Sequence, residues 1–363
     1  MHHTFPAVRG IQAGREYYIT MCPLRLVPKL FLFEDDELDP ALRAQRIINK
    51  SRIPLIAKYI SENPNDYVLS SITASVDCLV EFSPISEAPS HHNIGTIQIP
   101  MTAKFLVNDG QHRRAAIEQA IKTNPTLKEE TLSIVLFIDE GLRRSQQMFA
   151  DLNRYAIRPT QSLNILYDHR DPLAKLVRRL VQEVDVFDGL TEMDKSSISN
   201  RSKNLFTLSG IYNATEELLA YCSEQTQDEQ TMDALEFWKQ VSDYVPGWLD
   251  VKMERQSAAD LRKEYMNAHS ITLVAIGRAG SVLLRDKTDW KDQLRKLKEI
   301  DWRRSNRLLW EGRATVGGKI SFSRNNLLLM TNAVKQALNL SLTDEEQAAE
   351  EAFQSAKTRR GNL

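Results

Sequence analysis

No stretch of the 363 residues approaches the roughly 18 consecutive apolar residues of a membrane span, so no membrane partner is expected. The N-terminus lacks a charged region followed by an apolar core and does not read as a secretory signal. Cysteine is scarce. Cys22, Cys78 and Cys222 are far apart, odd in number, and without a C-x-x-C pair or a Cys/His spacing suited to zinc. That argues against a disulfide framework and for a reducing, cytoplasmic location, with the three thiols as inert packing residues rather than sulfur sensors. His91-His92 sits in a Pro- and Ser-rich loop, and His112 and His169 have no ligand partners at helical spacing, so no metal site is expected. Excess charge of one sign is missing too. Lys and Arg number 47 against 48 Asp and Glu, so a polyanion-binding surface has to come from local clustering. There is no internal repeat and no Walker-type loop, since Gly317-Gly318-Lys319 lacks the rest of that pattern.

What remains is an ordinary globular composition, 42% hydrophobic and 26% charged, at a length that suits two domains or three. The pattern expects an α+β chain with a mixed α/β domain over 1–160 and a mainly helical one over 161–363. Strand-like runs fall at Arg15–Cys22, Tyr67–Ile72, Asp77–Phe82 and Lys104–Val107, and Leu132–Ile138 has the continuous apolar character of a buried strand. Asp39-Pro40 reads as a helix start, and Pro54 is expected to split or kink the helical pattern that runs on to Ile60. Helical patterns run over Asp171–Val186, Ser209–Cys222, Met232–Tyr244, Ala258–Gly277, Ala279–Leu284 and Trp290–Glu299, and Thr343–Glu346 has the form of a capping box.

The most informative stretch is Lys104 to Ala116, which contains Asn108-Asp109-Gly110-Gln111-His112-Arg113-Arg114. Strand-like residues run into an Asp-Gly turn, and a helical pattern carried by Ala115, Ala116, Ile117, Ala120 and Ile121 starts at once. Gly110 can adopt a backbone shape that residues with a Cβ avoid, which lets the chain approach a ligand closely. The next amides point along the new helix, where orphan N–H groups and the macrodipole favour an anion. Cations are locally unfavourable there, so Arg113 and Arg114 point to a bound negative group. Asp109, Gly110, Gln111, His112, Arg113 and Arg114 are therefore the candidate phosphate- or nucleotide-binding residues. The same spacing also fits a plain turn with a solvated Arg pair and with Asp109 as its side-chain cap.

Two basic blocks stand out in an otherwise balanced chain. Arg143–Arg179 holds eight Lys or Arg against three acids, and Trp302–Arg324 holds six against one, with Trp302, Trp310 and Phe322 interleaved. Between them lies the polar segment Ser196–Lys203, a mobile or a phosphate-contacting loop. Backbone phosphates supply much of the affinity of a DNA-binding protein and are met by such groups. The candidate DNA contacts are Arg143, Arg144, Arg154, Arg158, Arg178, Arg179, Arg201, Lys203, Arg303, Arg304, Arg307 and Arg313. A single basic block is more often a solvated, salt-bridged face; two blocks and an anion-ready turn shift the balance towards a polyanion partner.

Asp109-Gly110-Gln111-His112-Arg113, with Phe149-Ala150-Asp151-Leu152-Asn153 and Pro159 downstream, resembles the signature of the DGQHR-domain family, in particular the DndB proteins of DNA sulfur modification (phosphorothioation). The likeness extends over most of the chain. It implies an N-terminal domain distantly similar to the ParB and sulfiredoxin-like fold, in which a Gly-x-x-Arg turn at a helix start contacts nucleotide or phosphate. Sulfiredoxin keeps a catalytic cysteine just before a His-Arg pair. Gln111 stands in that place here, so such thiol chemistry is not expected. The resemblance implies a transcriptional regulator, a repressor of its own modification cluster, with double-stranded promoter DNA as partner and with other phosphorothioation proteins or a second copy as further ones. The rival expectation is a ParB-like enzyme that binds a nucleotide and hydrolyses it or nicks DNA, with Asp109, His112 and Arg113 as candidate catalytic residues.

Overall fold

The computed structural model describes residues 1–31, 50–138, 147–148, 150–152, 154, 159–221, 225–286 and 290–361. The chain divides into two compact units, Met1–Ile157 and Arg158–Leu363, each with its own apolar core. Among the described residues no helix is long and apolar enough to cross a membrane. The expected helix start at Asp39-Pro40 and Cys222 lie outside them.

The first unit is built on a seven-stranded mixed sheet: β1 (His2–Gln12), β2 (Arg15–Pro23), β3 (Ile72–Val76), β4 (Glu81–Pro84), β5 (Ile94–Pro100), β6 (Phe105–Asp109) and β7 (Thr131–Ile138), in the spatial order β4-β5-β1-β2-β7-β3-β6. Side chains alternate across it, so Phe5, Ala7, Tyr18, Cys22, Ile97, Ile99, Leu132, Ile134 and Leu136 line one buried face. Three helices, α1 (Val27–Leu30), α2 (Arg52–Glu62) and α3 (Gln111–Thr123), contribute to that core through Val27, Ala57, Ile60, Ala116, Ile117 and Ala120. Strand β1 escapes the sequence pattern because Pro6 and Gly10 argue against a central strand. It is nevertheless paired on both sides. The ring of Tyr17 lies so close over Gly10 that a Cβ there would come within 2.6 Å of it. The β1–β2 connection is Ala13-Gly14, both at positive φ, the two-residue turn whose twist matches a hairpin.

Two strand boundaries differ from the sequence expectation. Pairing begins only at Ile72 rather than at Tyr67, and β4 begins at Glu81 rather than at Asp77. The Tyr67 hydroxyl is taken by Glu130, while the Asp77 carboxylate accepts the Lys104 amide at 2.8 Å, so both stretches serve as connections. The helix that holds Pro54 starts at Arg52, so the proline is the third residue of α2, inside the first turn, where its missing N–H costs nothing; the part of the expected pattern before residue 50 lies outside the described residues.

The second unit is helical: α4 (Gln161–Tyr167), α5 (Pro172–Glu183), α6 (Leu208–Leu218), α7 (Gln227–Tyr244), α8 (Trp248–Lys252), α9 (Ala258–Glu264), α10 (Ser270–Asp286), α11 (Trp290–Leu294), α12 (Arg307–Trp310), α13 (Arg324–Ala337) and α14 (Asp344–Gly361). Two short ladders accompany them, β8 (Thr191–Glu192) with β9 (Phe206–Thr207) and β10 (Thr315–Val316) with β11 (Lys319–Ile320). Trp238, Trp248, Trp302 and Trp310 are fully buried in its core. The expected helix over Ala258–Gly277 is two helices. Between them the Met266 amide donates to the Trp302 carbonyl at 2.7 Å, and the Trp248 indole donates to the Asn267 carbonyl at 3.2 Å. The expected break after Gly277 is absent, because that glycine allows α10 to lie against α6: a Cβ would stand 2.1 Å from the Ala214 carbonyl oxygen. The capping box at Thr343–Glu346 forms, with the Thr343 amide donating to Glu346 at 2.9 Å and the Glu346 amide to Thr343 Oγ1 at 3.3 Å.

Candidate functional site

Strand β6 lies at the sheet edge beside β3, and its last residue, Asp109, leads through Gly110 directly into α3. Gly110 has φ 105°, which an L side chain rarely adopts. A Cβ there would also come within 2.8 Å of Ile72 Cγ1. No side chain caps α3. Asp109 is therefore not the turn's cap: its Oδ2 accepts from Arg113 Nη2 at 2.6 Å, and the same nitrogen also donates to the Ser71 carbonyl at 3.0 Å. Arg113 Nε is buried with no hydrogen-bond partner.

Arg114 is engaged by the fold itself. It donates to the Phe31 carbonyl at 2.8 Å, to the Pro28 carbonyl at 3.0 Å and to Glu118 at 3.0 Å. The two arginines that look alike in sequence thus part company: Arg114 braces α1, and Arg113 faces the turn. Burial, together with Arg52 and Arg113, lowers the His112 pKa from its ordinary value and outweighs Asp109. Asn108, buried, donates to Ser75 Oγ at 2.6 Å and fixes β6 to β3. Uncapped helix amides and a half-buried guanidinium with an unpartnered Nε–H can hold an oxyanion.

The described members of the two basic blocks have different surroundings. Arg143, Arg144 and Arg158 lie outside the described residues, and Arg154 is exposed. Arg178 closes the end of α4 through the carbonyls of Ile165, Leu166 and Asp168, and Arg179 pairs with Glu183. Arg303 is exposed but bound to Asp301 through two nitrogens, at 2.8 and 2.7 Å. Arg307 is exposed. Arg313 contradicts its assignment as a DNA contact. It is 2% exposed, held by Glu350 at 2.6 and 2.8 Å and by the Leu329 carbonyl at 2.7 Å. Trp302 and Trp310 stack on each other in the core at 5.7 Å and present no surface for bases.

The polar segment Ser196–Lys203 keeps its two cations at the surface. Arg201 and Lys203 are exposed and have no carboxylate partner among the described residues. They line an open groove of about 600 Å³ together with Lys252 and Arg255. Sequence reasoning missed Arg262, which anchors this loop by donating to the carbonyls of Ser199, Asn200, Ser202 and Asn204. A lone Arg on a helix some 60 residues away carries no sequence signal of such a role. Neither of the two described cysteines is activated: burial pushes the Cys22 thiol up to about 12 and raises that of Cys78.

The fold and these features define a two-part protein in which a sheet with an oxyanion-ready strand-to-helix turn is joined in sequence to a helical unit with a basic loop. A family model described as DndB, DNA-sulfur modification-associated, matches residues 5–341, and the chain belongs to that family. No curated protein and no solved structure matches it.

Proposed function

We propose that this chain is a DNA-binding transcriptional regulator acting in the cytoplasm, a repressor of the DNA sulfur modification genes, and that it holds promoter duplex on the helical unit. The observation that carries the reading is the loop with Arg201 and Lys203, two cations free of carboxylates among the described residues, on a backbone pinned in four places by Arg262. Preorganised, unpaired cations are what phosphate contact requires. Family membership ties the chain to DNA sulfur modification. The test is anisotropy with labelled promoter duplex against a shuffled one. The expected result is a preference of about 10³-fold or more, with affinity falling steeply as salt rises. The double variant Arg201→Glu, Lys203→Glu weakens binding to both duplexes and flattens the salt slope. Equal binding to both duplexes at moderate salt would sink the reading.

A second reading, a ParB-like nucleotide-binding or nucleotide-hydrolysing centre at Asp109–Arg114, draws on the buried, unpartnered Nε of Arg113 beside the uncapped start of α3. Nucleotide turnover that disappears in Arg113→Ala, in a chain indifferent to its promoter, would favour this reading over the first.

A further inference from the structure

Behind the loop that carries Arg201 lies a second chamber of about 560 Å³, bounded by the loop itself, α9 and the start of α10. Its walls include Arg262, Lys263 and Arg304, against one carboxylate, Asp260. None of the three cations pairs with an acid among the described residues. Among the described residues Arg262 donates only to the carbonyls named above, and Arg304 only to those of Lys263 at 3.2 Å and Gly318 at 2.9 Å. Both therefore keep their Nε–H groups unspent among the described residues, and Lys263 is exposed with its ammonium unpaired. Burial lowers the Arg262 pKa, a sign that its charge is poorly solvated.

The remaining lining is suited to oxygen-rich ligands. Ser197 and Ser270 supply hydroxyls, and Ser270 opens the 17-residue α10. His269 stands immediately before that helix, and its Nε2 bonds to the Arg262 carbonyl at 2.8 Å. A carbonyl can only accept, so Nε2 carries the proton and Nδ1 is left as an acceptor. Leu205, Phe206 and Leu273 add apolar wall. Phe206 is packed edge-on against Trp248 and Phe187, which makes it a fixed wall rather than a stacking platform.

We propose that this chamber binds the phosphate of a mononucleotide, with Lys263, Arg304 and the Nε–H of Arg262 as its charge partners and His269 as the acceptor for a ligand hydroxyl. The volume lies within the range of small-molecule sites and is too small for a duplex. The site is separate in sequence from the Gly110 turn, and the inference does not rest on the DNA reading: nucleotide binding by a chain that ignores its promoter would uphold this site and remove that function.

The test is calorimetric titration of AMP, ATP and inorganic phosphate into the full chain near neutral pH. A saturable site, one per chain, is expected for at least one nucleotide, weakened about tenfold or more in Lys263→Glu and in Arg304→Gln and unchanged in Arg201→Glu. Lys263 is exposed, so its variant keeps the fold. The imidazole resonances of His269 should titrate at higher pH when the site is filled, because a bound phosphate favours the charged ring. Four results would overturn the proposal: no saturable binding up to millimolar ligand, affinity unaltered in Lys263→Glu, binding lost in Gly110→Ala in place of Lys263→Glu, or random duplex displacing the nucleotide with Lys263→Glu weakening both alike. The last would make the chamber part of the DNA surface.

Discussion

At the scale of single residues, environment separates side chains that composition treats as equal. Arg113 and Arg114 are neighbours, yet one is turned to the Gly110 turn and the other is spent on backbone carbonyls. The Asp109–Arg114 turn could be read from sequence because its logic is local: a glycine shape, a strand end and a helix start lie side by side in the chain. The burial of Arg313 could not, since Arg313 lies in a turn and Glu350 37 residues further on, in α14. His269 offers a test at this scale. Burial, with Arg304 and Arg262 adding to it, pushes its pKa down to about 4 from the ordinary 6.5, against the hydrogen bond to the Arg262 carbonyl. The unfolded chain then binds more protons than the folded one between those values, so stability rises with pH across that window and is lost as pH falls through it. The whole effect amounts to about 3 kcal/mol. Urea denaturation at a series of pH values should show this slope, and His269→Gln should flatten it; an unchanged slope in the variant would exclude His269 as its origin.

At the scale of elements, the features that the sequence pattern missed were decided by partners far along the chain. Local signals foresaw β2, β7, α5 and the capping box of α14, because periodicity and caps are carried within the segment itself. Strand β1 stayed hidden behind Pro6 and Gly10, and the gap between α9 and α10 is set by Trp302, which no window around Met266 contains. Gly277 reads as a helix break in sequence and is a contact in space. Its lack of a Cβ lets α10 approach the Ala214 carbonyl. Gly277→Ala would gain intrinsic helix propensity, about 1 kcal/mol. The two backbones would have to separate, and overpacking of this kind costs about 1–3 kcal/mol, more when backbone must move. The variant is therefore expected to be less stable than the wild type in chemical denaturation, despite the better helix former. A more stable variant would show that α6 and α10 yield easily.

At the scale of the whole molecule, the family match ends at residue 341, and α14 begins at Asp344, beyond it. Yet α14 supplies the acids for two buried cations of the matched region. Glu350 takes Arg313, and Glu346 takes Lys335 at 2.6 and 2.7 Å. Burial raises the Glu350 pKa, and its hydrogen bonds from Arg313, Gln354 and Asn332 outweigh that, so the carboxyl stays ionised. Removing one member of a buried pair costs about 3–5 kcal/mol, because the other is left charged without a partner. A chain ending at residue 341 should therefore lose most of its cooperative melt in the helical unit, and Glu350→Gln should reproduce a good part of that loss. Full cooperativity in the shortened chain would show that water can replace both acids. The end of the family match and the last carboxylate that answers a buried cation are thus different places on this polypeptide. A fragment cut at the end of that match would carry two stranded positive charges into its own interior.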